Sequence, residues 1–203
     1  LFNNTTASNN TAVGGNALLA NTTGVENTAV GALALDANTT GGYHTAIGVG
    51  ALGATTTGNY NTAVGRYASL SNTTGSNNVA TGFRSLETNT TGVNNVANGM
   101  YALLASTNAS NNTAVGYNSL AANTTGGGNI AVGSGAGDTI TTGTGNTILG
   151  NSADVDAVGA VNRIALGNQV ICQSDNTITV GAGGTVASLG IDGSDTSWAA
   201  SSD

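Results

Sequence analysis

The fold is decided by residues 8–24, which read SNNTAVGGNALLANTTG and are followed in residues 25–41 by the variant VENTAVGALALDANTTG. Two phrases, Thr-Ala-Val-Gly and Asn-Thr-Thr-Gly, share this repeat of 17 residues. The glycine that closes the first phrase recurs without a slip at Gly14, Gly31, Gly48, Gly65, Gly82, Gly99, Gly116, Gly133, Gly150 and Gly167. A fixed short period of this kind indicates a repeat fold in which each unit stacks on the next.

Each repeat reads as short strands and tight turns, without a helix. The phrase Thr-Ala-Val alternates as a strand does, a helix-pair repeat needs about 34 residues, and Gly with Asn at both corners opposes helix formation. We therefore predict an all-β parallel β-solenoid with two short strands per coil. Ten coils at about 4.8 Å each form a rod of roughly 48 Å.

The period ends near residue 168, because Gly181 follows Gly167 by only 14 residues. We therefore predict a solenoid over residues 1–168 and an irregular β segment over residues 169–203. Within each coil we expect the residues on either side of Ala12, namely Thr11 and Val13, to share the inner face. Ala12 would then face outward or toward a neighbouring chain.

One such coil buries little apolar area, and each Gly in a regular element costs about 0.5–1 kcal/mol relative to Ala. We therefore expect the Ala column, and the Leu column that begins at Leu18, to pack against identical chains. A closed homotrimer about the rod axis would supply the missing burial.

Composition excludes several classes of function. The chain has three Arg, no Lys and a formal net charge of -7, so no cation cluster exists to bind a nucleic-acid backbone. No stretch of 18 apolar residues predicts insertion into a membrane. Charged residues are 6% of the chain, yet 39% are hydrophobic and recur at fixed positions, which opposes disorder.

Catalysis by a general acid and base needs two titratable groups in one cleft, and the acids here are scattered over different columns. We therefore predict a non-enzymatic protein with no cofactor and no metal site. Asp154 and Asp156 are a weak calcium pattern, which we interpret as solvated loop carboxylates. His44 replaces the usual Asn of its column and is interpreted as its substitute, while Cys172 is expected to pack as a small hydrophobic residue.

The clearest departure from the repeat lies in the two columns after the closing Gly, where four consecutive coils carry large side chains. Aromatic rings with Arg and Asn suit contact with a host cell-surface glycan or protein, and an Arg over a ring contributes about 0.5–1 kcal/mol at an exposed site. The alternative is that these residues fill the gap between protomers. They are Arg66, Tyr67, Phe83, Arg84, Met100, Tyr101, Tyr117 and Asn118. Tyr43 and Tyr60 share another column, and we expect them to stack.

The Asn-Thr-Thr turns create two Thr columns, from Thr22 to Thr141 and from Thr23 to Thr142. Regular Thr arrays resemble those of ice-binding proteins, so an ice-binding β-solenoid is an alternative function. Curved corners, and neighbouring Thr that point to opposite sides, oppose this alternative. The same turns have the form of glycosylation acceptors, at Asn21, Asn38, Asn72 and Asn123.

The phrases Ser8 to Gly14 and Ser110 to Gly116, with the Asn-Thr-Thr-Gly turns, resemble repeats of bacteriophage tail fibres and more distantly those of trimeric autotransporter adhesin heads. This resemblance implies a homotrimeric left-handed β-roll in a virion tail fibre, joined to other fibre or tail segments. Its function would be that of a structural shaft and host-surface adhesin. The alternative is a bacterial trimeric surface adhesin or an extracellular filament subunit.

The last residues, 196–203, read TSWAASSD and resemble the junction before the intramolecular chaperone of endosialidase-type phage fibres. The resemblance implies that the fibre matures by release of a C-terminal chaperone, with Ser202 as the self-cleavage nucleophile and Asp203 after the cleaved bond. A terminus that is simply rich in small residues is the alternative.

Overall fold

A computed structural model describes residues 3–191, 193 and 199–200 of the chain; Ser202 lies outside this part. The described residues form an all-β fold without a helix. The strands are β1 Thr11–Val13, β2 Thr28–Val30, β3 Thr45–Ile47, β4 Thr62–Val64, β5 Val79–Thr81, β6 Val96–Asn98, β7 Thr113–Val115, β8 Ile130–Val132, β9 Thr147–Leu149, β10 Asp154–Val155, β11 Ile164–Leu166, β12 Ile171–Cys172, β13 Thr177–Ala182, β14 Thr185–Gly190 and β15 Ala199–Ala200.

Strands β1 to β9 and β11 stack in parallel in one sheet, in the order of the sequence. Each strand pairs with the strand one repeat later, so that Ala12 lies beside Ala29 and Val13 beside Val30. The closing Gly continues the ladder, since the Gly31 N–H donates to the Val13 carbonyl at 2.7 Å. The predicted parallel β-solenoid is therefore confirmed.

A second segment of each coil, after the Gly turn, also bonds to neighbouring coils. The Leu18 N–H donates to the Ala34 carbonyl at 3.0 Å, and the Ala20 N–H to the Asp36 carbonyl at 3.0 Å. This segment becomes a regular strand pair in β10 and β12. It passes through left-handed backbone at Leu18, where φ is 51°, a conformation that costs a residue with a side chain roughly 1–2 kcal/mol.

The predicted inner face is wrong. The Ala column and the Leu column, not the residues flanking Ala, form the core of a single chain: Ala29, Ala46 and Leu35 have no exposed surface, whereas Val13 is 57% exposed. Leu reaches into the thin coil from the second segment, and only a methyl group fits opposite it. The Ala and Leu columns are therefore buried within the protomer and cannot pack against identical chains.

A buried column of amide side chains, the Asn ladder, satisfies the backbone at one corner. Asn27 Nδ2 donates to the Gly41 carbonyl at 3.0 Å, while Asn27 Oδ1 accepts the His44 N–H at 3.0 Å. Each residue thus pairs a turn carbonyl and an N–H group that would otherwise be buried without partners. The ladder consists of Asn10, Asn27, His44, Asn61, Asn78, Asn95, Asn112, Asn129 and Asn146.

A second buried amide column lies at the Asn-Thr-Thr-Gly turn, where Asn21 Nδ2 donates to the Gly24 carbonyl at 2.9 Å. Where the next coil also carries Asn, the two amides bond, as Asn38 Nδ2 does to Asn21 Oδ1 at 2.8 Å. The sequence interrupts this column with Thr55, Ser106 and Ile140. Each interruption leaves the Oδ1 of the preceding Asn without a partner, at Asn38, Asn89 and Asn123.

The end of the solenoid is closed by Arg163 and a hairpin. The Arg163 N–H accepts the last place on the Asn ladder by donating to Asn146 Oδ1 at 3.0 Å, and its guanidinium bonds to Asp156, Asp175 and the Cys172 carbonyl. Strand β13 then joins β11 with a register of 14 residues, Ile164 beside Ile178. Strands β14 and β15 continue the sheet in antiparallel fashion.

The reassigned core predicts the effect of one added side-chain volume. Ala63→Val enlarges a side chain with no exposed surface, so we expect the free energy of unfolding to fall by about 1–3 kcal/mol through overpacking. Ala32→Val makes the same change at an exposed position and should have little effect. Urea denaturation of both variants measures the difference, and equal stability of the two would contradict the core assignment.

His44 takes the place of Asn on the ladder, as the sequence predicted. Its Nε2 bonds to the Gly58 carbonyl at 2.8 Å, so that Nε2 carries the proton and Nδ1 accepts the Asn61 N–H at 3.2 Å. Both contacts of an Asn amide are thereby reproduced by a neutral imidazole. Burial lowers the pKa of His44 to about 4.

This shift predicts acid sensitivity. Between pH 6.5 and pH 4 the unfolded chain binds a proton at His44 that the folded chain does not, so stability falls as the pH falls, by about 3 kcal/mol per chain over this window. We expect His44→Asn to keep the ladder and remove that component. Urea denaturation at pH 7, 5.5 and 4 compares the two proteins, and parallel pH profiles would show that His44 does not carry the effect.

Candidate interaction surfaces

The outward side of β1–β9 and β11 forms a continuous uncharged surface, the strand face. Its two columns flank the buried Ala. The first column is Thr11, Thr28, Thr45, Thr62, Val79, Val96, Thr113, Ile130, Thr147 and Ile164, and the second is Val13, Val30, Ile47, Val64, Thr81, Asn98, Val115, Val132, Leu149 and Leu166. Seven of the aliphatic side chains are between 36% and 57% exposed.

The size of the strand face marks it as a surface for contact. Nine steps of about 4.8 Å and three residues of about 3.3 Å give a strip of about 43 by 10 Å. Contiguous apolar strips of about 400 Å² are at the upper end of what a monomer leaves uncovered. Because the columns are in register and bear no charge, the strip repeats the same two side chains along most of the rod.

The eight large residues after the closing Gly form the aromatic ridge, which consists of Arg66, Tyr67, Phe83, Arg84, Met100, Tyr101, Tyr117 and Asn118. The structure brings three of the rings together within one chain. The Tyr101 ring lies edge-to-face with Phe83 at 5.6 Å and with Tyr117 at 6.1 Å between ring centroids. Tyr101 is half-buried between its neighbours, whereas Met100 and Tyr117 are exposed.

The two arginines of the ridge have different partners. The Arg66 guanidinium lies 4.4 Å from the centroid of the Tyr67 ring and donates to Tyr67 Oη at 3.0 Å. Arg84 instead forms an ion pair with Glu87 at 2.5 Å and lies 5.9 Å from the Tyr101 ring centroid. Arg66 is therefore the ridge cation without a carboxylate partner among the described residues.

A cleft of about 380 Å³ lies beside Tyr67, where Gly50 and Gly53 replace the side chains that neighbouring coils place on the surface. Burial raises the pKa of the Asp36 carboxyl in this cleft above its ordinary value, although backbone N–H groups of Asp36 and Ala37 oppose the shift. The cleft is lined by Leu33, Asp36, Gly50, Gly53, Ala54, Tyr67, Leu70 and Ser71. Sequence reasoning missed it, although two Gly in columns otherwise filled by side chains were a visible signal.

On another corner, Tyr43 and Tyr60 stack as predicted, with 4.8 Å between ring centroids and 9° between the rings. The Asn-Thr-Thr corner is less open to contact than its sequence suggested. Thr22 Oγ1 donates to the Thr39 carbonyl at 3.0 Å, and the same bond recurs along the first Thr column. The amides of Asn21, Asn38, Asn72 and Asn123 are fully buried, so they are not accessible for glycosylation in the folded chain.

The remaining candidates do not come together as a site. Burial raises the pKa of Asp154 to about 6, while Asp156 is exposed and pairs with Arg163, so the two carboxylates of the weak calcium pattern have separate environments. Within the described residues no group of three or more His, Cys, Asp or Glu forms a metal-binding cluster. Cys172 is buried and packs inside the chain, as expected of a small hydrophobic residue.

No described segment forms a helix that is long and apolar enough to cross a membrane. Comparison of the chain with protein-family models, curated proteins and solved structures finds no match. Function is therefore inferred from the strand face, the aromatic ridge and the cleft.

Proposed function

We propose that the chain is a shaft segment of a homotrimeric fibre of the bacteriophage tail-fibre kind, in which three copies pack their strand faces around the rod axis. The observation that carries this proposal is the uncharged strand face, whose β-branched side chains extend in two columns over ten coils. The number of three copies, the left-handed coil and the attachment to other fibre or tail segments follow from the resemblance of the repeats to those of such fibres.

Association through this face corrects the interface expected from the sequence. Burial of apolar surface contributes about 25 cal/mol per Å², and the exposed Val, Ile and Leu of the strand face hold most of the apolar surface that a neighbour can cover. Copies of one chain have identical coil spacing, so each coil meets an equivalent coil of its neighbour along the whole interface. The role is mechanical, because inter-coil hydrogen bonds and the Asn ladder maintain the rod.

The aromatic ridge and its cleft extend the proposal to host-surface adhesion. Exposed rings offer apolar faces to a sugar ring, and the Asp36 carboxylate offers a hydrogen-bond acceptor for hydroxyl groups in the adjoining cleft. In a trimer the surface occurs three times, and such multivalency raises avidity above single-site affinity by about 10²- to 10⁴-fold. The alternative of a bacterial surface adhesin uses the same assembly and the same ridge.

Maturation by release of a C-terminal chaperone, with Ser202 as the nucleophile, is part of this proposal and is supported by the resemblance of residues 196–203 to such junctions.

Ice binding is a second candidate, and the strand face favours it more than the Asn-Thr-Thr corner does. Six of the ten first-column residues are Thr, in register and next to aliphatic side chains. A trimer would cover this surface, so the two functions exclude each other. A monomer that shows thermal hysteresis would favour ice binding.

Charge placed on the strand face tests the shaft. Ile47 and Val49 are both 41% exposed, but only Ile47 lies on the strand face. We expect Ile47→Lys to shift the protein from a trimer toward a monomer, because three buried ammonium groups would meet in one interface, while Val49→Lys remains trimeric. Sedimentation velocity measures this against the chain mass of 19.5 kDa. A wild-type protein that sediments as a monomer would refute the proposed function.

Adhesion is tested with the exposed residues of the ridge, because Tyr101 also supports its neighbours. We expect the triple variant Arg66→Ala, Met100→Ala and Tyr117→Ala to lose at least about tenfold in apparent affinity on a glycan array, as one lost contact per protomer of about 1.4 kcal/mol would produce. The matched control is Tyr43→Ala with Tyr60→Ala, which removes exposed rings from a different corner. Binding that is equal in all three trimeric proteins would remove the ridge as the receptor site.

A further inference from the structure

The strand face reverses its polarity in the two middle coils. Strands β5 and β6 carry Val in the first column and a polar residue in the second, at Val79 with Thr81 and at Val96 with Asn98. Residues 81 and 98 lie side by side in the parallel ladder, as do residues 79 and 96. Every other residue of the second column is aliphatic: Val13, Val30, Ile47, Val64, Val115, Val132, Leu149 and Leu166.

A strictly repeating interface cannot define how far one chain is displaced along its neighbour. Sliding a chain by one coil, about 4.8 Å, replaces each contact by a nearly identical contact and loses only one coil of ten. In the second column the exchange is aliphatic for aliphatic, except where Thr81 and Asn98 lie. Register in a repetitive interface therefore has to come from the coils that differ.

The side chain of Asn98 is suited to this task. It is exposed on β6, and no hydrogen bond of its amide is formed within the described part of the chain, in contrast to the amides of the Asn ladder. Amides at the same level of adjacent chains can donate to and accept from one another. A shift of one coil would place this amide against the aliphatic side chain of Val115 or against the single hydroxyl of Thr81.

We propose that Thr81 and Asn98, exchanged in polarity with Val79 and Val96, set the axial register between copies of this chain. The partner is a second copy of the same strand face, and the specific contact is between amide and hydroxyl groups at equal height on adjacent chains. A polar residue in the apolar seam of a coiled coil specifies register in the same way. The inference rests on the proposed trimer.

Register can be measured separately from assembly. Chains with Val115→Cys and chains with Val132→Cys, distinguished by different tags, are co-expressed and oxidised; residues 115 and 132 are one coil apart in the second column. Chains in register form disulfides only between like positions, whereas chains displaced by one coil form the mixed disulfide. The ratio of mixed to like disulfides does not depend on the overall yield, and the wild-type protein, whose single Cys172 is buried, reports the background.

The test variant adds Thr81→Val and Asn98→Val to both chains. We expect the ratio of mixed to like disulfides to rise by about tenfold or more while the trimer mass is kept, since an unpaired buried amide no longer opposes displacement. The matched control adds Thr62→Val and Thr113→Val, which removes two polar groups from the first column, and its ratio should equal that of the unchanged face.

The outcomes separate the two proposals. If the trimer forms and the ratio is the same with and without Thr81 and Asn98, the register inference is wrong and the shaft function stands. A trimer that forms neither kind of disulfide would also overturn it, because the second column would then not face itself across the interface. Monomers in all variants would overturn the proposed function itself.

Discussion

A coil of 17 residues encloses too little volume to satisfy its own backbone, so each coil depends on the coils directly above and below it. The strand, the Gly turn, the Thr22 hydroxyl and the Asn27 amide all bond to groups about one repeat away. A group at a given height therefore needs the same partner at the same place in the next coil. Repetition of the sequence is the chemical consequence of this requirement, since a residue that fits one coil fits all of them.

The stacking was predictable because the backbone records it in glycine. A side chain at Gly31, where φ is +137°, would meet the Gly48 carbonyl at 2.5 Å, so only Gly can close each strand at this spacing. The inner face was not predictable from alternation alone, which separates Ala29 from its flanking residues without saying which side is inside. Leu35 decides the matter, because its left-handed backbone brings a large side chain opposite Ala and leaves no room for Val.

For the candidate surfaces, columns of large residues were readable and an absence was not. Stacking of Tyr43 on Tyr60 and the proximity of Phe83, Tyr101 and Tyr117 follow from residues one repeat apart at one corner of adjacent coils. The cleft beside Tyr67 exists because Gly50 and Gly53 contribute no side chains, and its polar character comes from Asp36 in the coil below. A prediction that follows large residues overlooks a cavity made by small ones.

The direction of the inter-coil hydrogen bonds also determines how the rod responds to a pulling force. These bonds run along the rod axis, and the chain is continuous from coil to coil, so tension between the two ends acts on one coil at a time and unzips it. Extra coils add length without adding strength, and the least stable coil limits the load. Lateral contacts between chains along the strand face would spread that load, which makes association a mechanical requirement for a long slender fibre of such coils.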